Sequence, residues 1–236
     1  RKKGQKEKAA KGAEGGKGTK RDAVKAESKP VVETEGSGGS RVVLHQRMFA
    51  LLLRYKSLHG HGFQAAIGPQ VWRTLQTRLG VSLECFSSPL NCYLPAYCSG
   101  FSDVDVPFGS SGSFFNFSPL GGSYAVNPPF VHTIMDAAAD HILALLTRAS
   151  EEGNGQHALS FSVFLPGWKE GAALQQLHAS PFLRRSVTIA AADHGYCDGA
   201  SHQRSDPFRQ SPYDTTCFFL QTDKAARKWH VSDAFE

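Results

Sequence analysis

Asn127-Pro128-Pro129-Phe130 brings together the residue types that methylation of an exocyclic amine requires. The lone pair of such an amine is delocalised into its ring, so the nitrogen is a poor nucleophile. A side-chain amide oxygen and a proline carbonyl can each accept one N–H, which favours a pyramidal nitrogen with an available lone pair. Two consecutive prolines fix φ and remove both backbone donors, stiffening the turn and leaving its carbonyls free to face a substrate. Phe130 would then stack on the base. The plainer reading of the same residues is a helix entry, with Asn127 as cap, proline at the first helical position and Phe130 in the core.

The surrounding pattern places these four residues at a strand-to-helix junction. The apolar run Ser123-Tyr124-Ala125-Val126 precedes them, and residues 131–148 follow with Ile134, Met135, Ala138, Ile142, Leu145 and Leu146 on one helical stripe. Open α/β sheets hold their ligands at such junctions, outside the carboxyl ends of the strands. Residues 158–166 read as a buried strand, 169–178 as a helix stopping near Pro181, and 185–193 and 215–223 as two further strands. This order is the C-terminal half of a doubly wound sheet that ends in an antiparallel pair. A long polar segment, 194–214, joins the last two strands and carries Tyr196, His202, Arg204, Arg209 and Tyr213; a loop of that length suggests function or disorder.

Upstream, residues 41–58 space Leu44, Met48, Leu51, Leu52 and Tyr55 as an amphipathic helix, with Gly60 and Gly62 to stop it. A second helix starts at Pro69, turns Val71, Trp72, Leu75 and Leu79 to one face and closes at Gly80. Both are expected to pack on the sheet or on preceding sequence. Residues 81–126 are rich in Phe, Ser, Gly and Pro, and their short apolar runs (VSLECF, GSFFNF, GSYAV) read as strands and ordered loops.

The chain has 236 residues, 41% hydrophobic, enough for one substantial domain. Its net charge of +5 lies in the first 40 residues, which hold 11 Lys/Arg against 6 Asp/Glu and leave 15 of each sign in the remainder. That tail lacks aromatic residues and reads as a disordered basic linker, with non-specific RNA attraction as a secondary role. Residues 41–236 form the domain, with a core at about 81–230. Five cysteines without CxxC spacing indicate free thiols in a reducing compartment. No run reaches the roughly 18–20 apolar residues of a membrane span, and no secretory signal is present, so nucleus or cytosol is expected.

Other groups carry weaker readings. Phe108-Gly109-Ser110-Ser111-Gly112 could approach a cofactor through its glycines, or form a plain turn. Asp103 and Asp105 could meet ribose hydroxyls or an ammonium, or be solvated loop carboxylates. His59 with His61, and His194 with Cys197, lack the further ligands of a zinc site. Trp168, just past a strand's carboxyl end, is expected at the ligand crevice, and Trp229 in the core. Lys169 and Arg204 could touch phosphates or be surface charges. No nucleophile elbow or paired carboxylates occur, and direct methyl transfer needs neither, since it rests on orienting the reactants.

The stretch SLECFSSPLNCYLPAYCSGFSDVDVPFGSSGSFFNFSPLGGSYAVNPPF closely resembles the methyltransferase domain of the phosphorylated C-terminal-domain-interacting factor family, the cap-specific adenosine N6-methyltransferases. LLRYK in the first helix, SFSVFLPGWKE after the motif helix, and TTCFFLQTD with Lys228-Trp229 fit the same family, so the likeness covers about residues 44–230. It implies a Rossmann-like α/β fold with preceding helices. It also implies methyl transfer from S-adenosylmethionine to N6 of the adenosine beside the 7-methylguanosine cap.

By the same resemblance, Asn127, Pro128, Pro129 and Phe130 contact both cofactor and target adenine, and Trp168 lines the substrate pocket. Family members carry acidic residues directly after the tetrapeptide, where this chain has Val131-His132-Thr133; His132 is the substrate-side candidate there. Capped RNA is the expected partner. The phosphorylated tail of RNA polymerase II is a further expected partner, met through segments outside this chain, and the expected location is nuclear. The family's WW module and most of its helical region have no counterpart here, which suggests a catalytic fragment or a member with another substrate. The alternatives are methylation of DNA adenine, internal RNA adenosine or a glutamine side chain, or a non-catalytic RNA- or protein-binding module.

Overall fold

The computed structural model describes residues 37–58, 65–152, 154–198, 206 and 208–232. Helix α1 (Ser37–Ser57) is followed by the two-residue strand β1 (Ala65–Ala66) and helix α2 (Pro69–Leu79). Strands β2 (Leu83–Ser87) and β3 (Tyr97–Ser99) come next, then the short helix α3 (Ser102–Asp105) and strand β4 (Gly122–Val126). Helix α4 (His132–Glu151), strand β5 (Leu159–Pro166), helix α5 (Ala172–His178) and strand β6 (Leu183–Ile189) alternate. A hairpin of β7 (Gly195–Asp198) and β8 (Phe208–Gln210) leads to β9 (Thr215–Gln221) and α6 (Asp223–Lys228).

Six strands form a mixed central sheet in the order β3-β2-β4-β5-β9-β6. β3, β2, β4 and β5 run parallel, and β9 is inserted antiparallel between β5 and β6. The antiparallel pair expected from the sequence is thus present, with β5 as a second partner of the same strand. Strand order reverses at β2, whose successor β3 lies on one side and β4 on the other. This is a topological switch point, and the carboxyl end of β4 opens onto it.

β5 and β9 are buried along their whole length, as strands covered on both faces must be. Leu159, Phe161, Val163 and Leu165 point to the side where α4 and α5 pack, and Phe164 points to the side of α2. α2 begins with Pro69 and ends in a Schellman turn at Gly80 (φ 62°), where the Gly80 and Val81 amides donate to the carbonyls of Gln76 and Leu75. A side chain at Gly80 would place its Cβ 2.6 Å from Trp229 Nε1, so the indole closes over this turn. Trp229, expected in the core, is half-buried and packs against the α2 cluster rather than inside it.

Several expectations are corrected. α1 starts at Ser37 and is not folded onto the sheet: Leu44, Met48 and Leu52 are exposed together with Val42, Val43, Phe49 and Leu53, and only Leu51 is buried. GSFFNF holds a 3-10 turn at Phe114–Asn116, stabilised by the Ser113 side chain accepting from the Phe115 amide. The polar segment 194–214 contains β7 and β8, which join β1 in a small second sheet. His59, His61, His202 and Arg204 lie outside the described residues. All five cysteines are free; Cys85, Cys98 and Cys217 are buried. Among the described residues no helix is long and apolar enough to cross a membrane, and no cluster of metal-binding side chains occurs.

Candidate active site

Asn127-Pro128-Pro129-Phe130 leaves the carboxyl end of β4 without regular structure and bends at Phe130, and α4 begins only at His132. The cap position is Val131, which gives no side-chain bond. The helix-entry reading therefore fails: Asn127 stands five residues ahead of the helix and caps nothing. Its Nδ2 donates instead to the carbonyl of Ala65 in β1, at 2.8 Å. A carbonyl only accepts, so this bond fixes which way the amide points. Asn127 Oδ1 is left buried with no hydrogen-bond partner among the described residues.

The two proline carbonyls differ. That of Pro129 accepts from the Val131 amide at 2.7 Å, a three-residue turn. The carbonyl of Pro128 accepts nothing among the described residues, although the ring itself is buried. Two acceptors without partners, Asn127 Oδ1 and Pro128 O, thus belong to adjacent residues at the switch point. The first turn of α4 contains no acidic side chain, so the positive end of the helix dipole is not offset there.

An aromatic wall stands beside the tetrapeptide. Phe130 is edge-on to Trp168 at 6.4 Å between centroids and to Tyr196 at 6.0 Å; Trp168 is tilted over His132 at 5.0 Å and edge-on to Tyr213 at 5.4 Å. Trp168 reaches this position because β5 ends at Pro166 and the chain turns at once through Gly167. The Trp168 amide turns back to Pro166 O, and the Gly167 amide donates to Asp214 O, both at 2.7 Å. A Cβ at Gly167 would lie 3.1 Å from that of Asp214, so the crossing of the two chains favours glycine. The sequence-expected residues Asn127 to Phe130, His132 and Trp168 therefore converge.

Tyr196 is 4% exposed, and burial pushes its phenol up to about 12 although a hydrogen bond with Thr215 acts the other way. Tyr196, Tyr213, His194 and Thr215 were not singled out as site residues by sequence reasoning. The unusual length of the 194–214 segment was the available signal for His194, Tyr196 and Tyr213, and Thr215, inside the run 215–223 read as a strand, gave none. Ala65 gave none, because its contribution is a backbone carbonyl.

Other candidates are engaged elsewhere. Asp103 forms a bidentate pair with Arg54 at 3.0 and 2.6 Å, and that guanidinium holds its carboxyl below the usual range. Asp105 accepts from the Tyr55 hydroxyl at 2.8 Å. Both carboxylates tie α1 to α3. The 108–112 segment folds back along β3, with Ser99 and Ser110 hydroxyls 2.6 Å apart and the Ser99 amide bonded to Gly112 O. Beside the tetrapeptide, the loop leaving β2 is held by Glu84, which accepts from the Tyr93 and Leu94 amides at 2.6 Å each. Burial raises the Glu84 carboxyl against the opposing effect of those amides.

Residues 34–199 match the family described as "Phosphorylated CTD interacting factor 1 WW domain". Two curated relatives, from Mus musculus and Homo sapiens, are each 38% identical over 193 residues, 78% of this chain. Both are named "mRNA (2'-O-methyladenosine-N(6)-)-methyltransferase". The match takes in 26% of the mouse protein and 27% of the human one, so the chain spans about a quarter of the length of these relatives. With the family match running from β1 to β7 and taking in the tetrapeptide and Trp168, the chain belongs to the phosphorylated CTD interacting factor 1 family.

Proposed function

We propose that this chain carries the catalytic site of an S-adenosylmethionine-dependent methyltransferase with a Rossmann-like sheet. In this reading it acts on N6 of the adenosine next to an mRNA cap. The names of the mouse and human relatives support N6 of 2'-O-methyladenosine in mRNA as the target. The observation that carries the reading is the Asn127 amide, pinned through Nδ2 to Ala65 so that, among the described residues, neither Oδ1 nor the adjacent carbonyl of Pro128 has a hydrogen-bond partner.

A buried acceptor without a partner is unfavourable by about 1–3 kcal/mol, and an exocyclic amine supplies the two N–H donors these acceptors lack. Accepting a hydrogen bond from each N–H draws the nitrogen toward a pyramidal shape and makes its lone pair available. Phe130 stacks on the adenine, and Trp168 and His132 line the path of the remaining nucleotide. The donor's place is the crevice between the carboxyl ends of β2 and β4, held by Asn127 to Phe130 and faced by the loop that Glu84 fixes. S-adenosylmethionine supplies there an electrophilic methyl group on a sulfonium. The chain's residues orient the amine in line with it and keep water out, and no general base of unusual strength is required.

Transfer of labelled methyl from S-adenosylmethionine to short capped RNA beginning with adenosine, beside the uncapped RNA, tests this. Cap-dependent labelling that disappears in Asn127→Ala is the expected result. Equal labelling of both RNAs would remove the cap from the reading, and undiminished turnover in the variant would remove the site.

A further inference from the structure

Tyr196 backs Phe130, yet its own position is not secured by packing alone. A cavity of about 300 Å³ lies behind it on the α2 side of the sheet, lined by Ile67, Leu75, Phe164, Val187, Tyr196 and Thr215 among others. Phe130 is not in that lining, so Tyr196 borders open space on one side and Phe130 on another. What holds the ring beside Phe130 is a chain of polar contacts at the rim of the cavity. The Tyr196 hydroxyl lies 2.8 Å from Thr215 Oγ1, Thr215 Oγ1 lies 2.7 Å from His194 Nε2, and His194 Nδ1 lies 2.8 Å from the Ala190 carbonyl.

The direction of this chain follows from its end. The Ala190 carbonyl can only accept, so Nδ1 carries the proton, and in the neutral imidazole Nε2 is then an acceptor. The Thr215 hydroxyl donates to it, which leaves the oxygen of Thr215 to accept from Tyr196. Every donor and acceptor is matched once. The chain also spans three elements: the turn after β6, the start of β7 and the start of β9.

We infer that Thr215, acting through Tyr196, is a positioning residue that holds Phe130 at the angle needed to stack on the substrate base. Neither Thr215 nor His194 touches the substrate in this role. The inference deepens the proposed function and rests on it for its kinetic consequence, but the geometric part stands independently. Thr215→Val keeps the side-chain shape and removes the hydroxyl, and Tyr196→Phe removes the partner hydroxyl while keeping the ring.

Because stacking acts alike on bound substrate and transition state, either variant is expected to raise KM for capped RNA about tenfold and to change kcat by less than about threefold. Thr215→Ser, which restores the hydroxyl, is expected to recover the wild-type KM; a loss of mere strand stability would lower kcat and KM-normalised rates together through inactive protein. In parallel, NMR cross-peaks between the Phe130 and Tyr196 rings are expected in the wild type and Thr215→Ser and lost in Thr215→Val and Tyr196→Phe. Retention of those cross-peaks in either hydroxyl-deleted variant, or an unchanged KM, would overturn the inference. If the wild type transfers no methyl group, the functional reading fails, and the cross-peaks alone decide whether Thr215 holds Tyr196.

Discussion

Asn127 and Ala65, 62 positions apart in the chain, are joined by one hydrogen bond of 2.8 Å that orients the amide at the centre of the site. The small sheet thereby aligns the residue that follows β4 of the large one. Asn127→Ala is expected to abolish methyl transfer while leaving a folded protein. Asn127→Asp should be worse for the fold, since it turns a carboxylate oxygen toward the Ala65 carbonyl, with a loss of about 1–3 kcal/mol. Urea unfolding of both variants beside the transfer assay checks the order; an Asp variant as stable as the wild type would contradict the orientation argued here.

Trp168 meets Phe130, His132 and Tyr213 and remains half-buried. Its replacement by Ala should weaken RNA binding by about 1–3 kcal/mol, the usual worth of one aromatic stack. Trp168→Phe should recover part of that. Fluorescence anisotropy with labelled capped RNA measures both, and equal affinity of wild type and Ala variant would take Trp168 out of the substrate path.

Gly80 sits at φ 62° with Trp229 Nε1 2.6 Å from where a Cβ would be. Gly80→Ala should lower stability by about 1–3 kcal/mol, through the left-handed backbone and the displaced indole. The double variant with Trp229→Ala should lose less than the sum of the two single losses. Strict additivity in thermal melts would show that the two residues do not press on one another.

Burial raises the thiol of Cys98 to about 11 and that of Cys217 to about 12, and the phenol of Tyr196 to about 12. In each case the folded value lies above the unfolded one, so the neutral form is favoured in the fold. The stability these groups contribute is complete below the unfolded thiol value of about 8.5 and is lost as pH climbs toward 11–12. Urea midpoints should fall from pH 8 to pH 10.5, and less steeply in Cys217→Ala. A flat profile would contradict the burial described.

What was legible in the chain was the part governed by local period. β5 and β9 were visible as continuous apolar runs, α4 as a stripe, and the tetrapeptide as a junction between such patterns, because burial on both faces and helical repeat leave marks on nearby residues. β3 left little mark: three residues in a loop-rich stretch pair with β2 through a register shift. The β7–β8 hairpin was hidden because its register is set by β1, more than a hundred residues away. α1 misled for the opposite reason. Its spacing is helical, but period alone says that a residue repeats on a face and not that anything covers that face.

The insertion of β9 between β5 and β6 bears on how the protein is made. Until residues 215–221 have left the ribosome, the buried strand β5 and the partly exposed strand β6 each lack a neighbour, and Tyr196 has no Thr215 to bond. Such unpaired edges invite pairing with other chains, and contacts that wait for distant sequence form slowly. Nascent chains halted before Thr215 should therefore be aggregation-prone and dependent on chaperones, and release of β9 is the event that closes the central sheet.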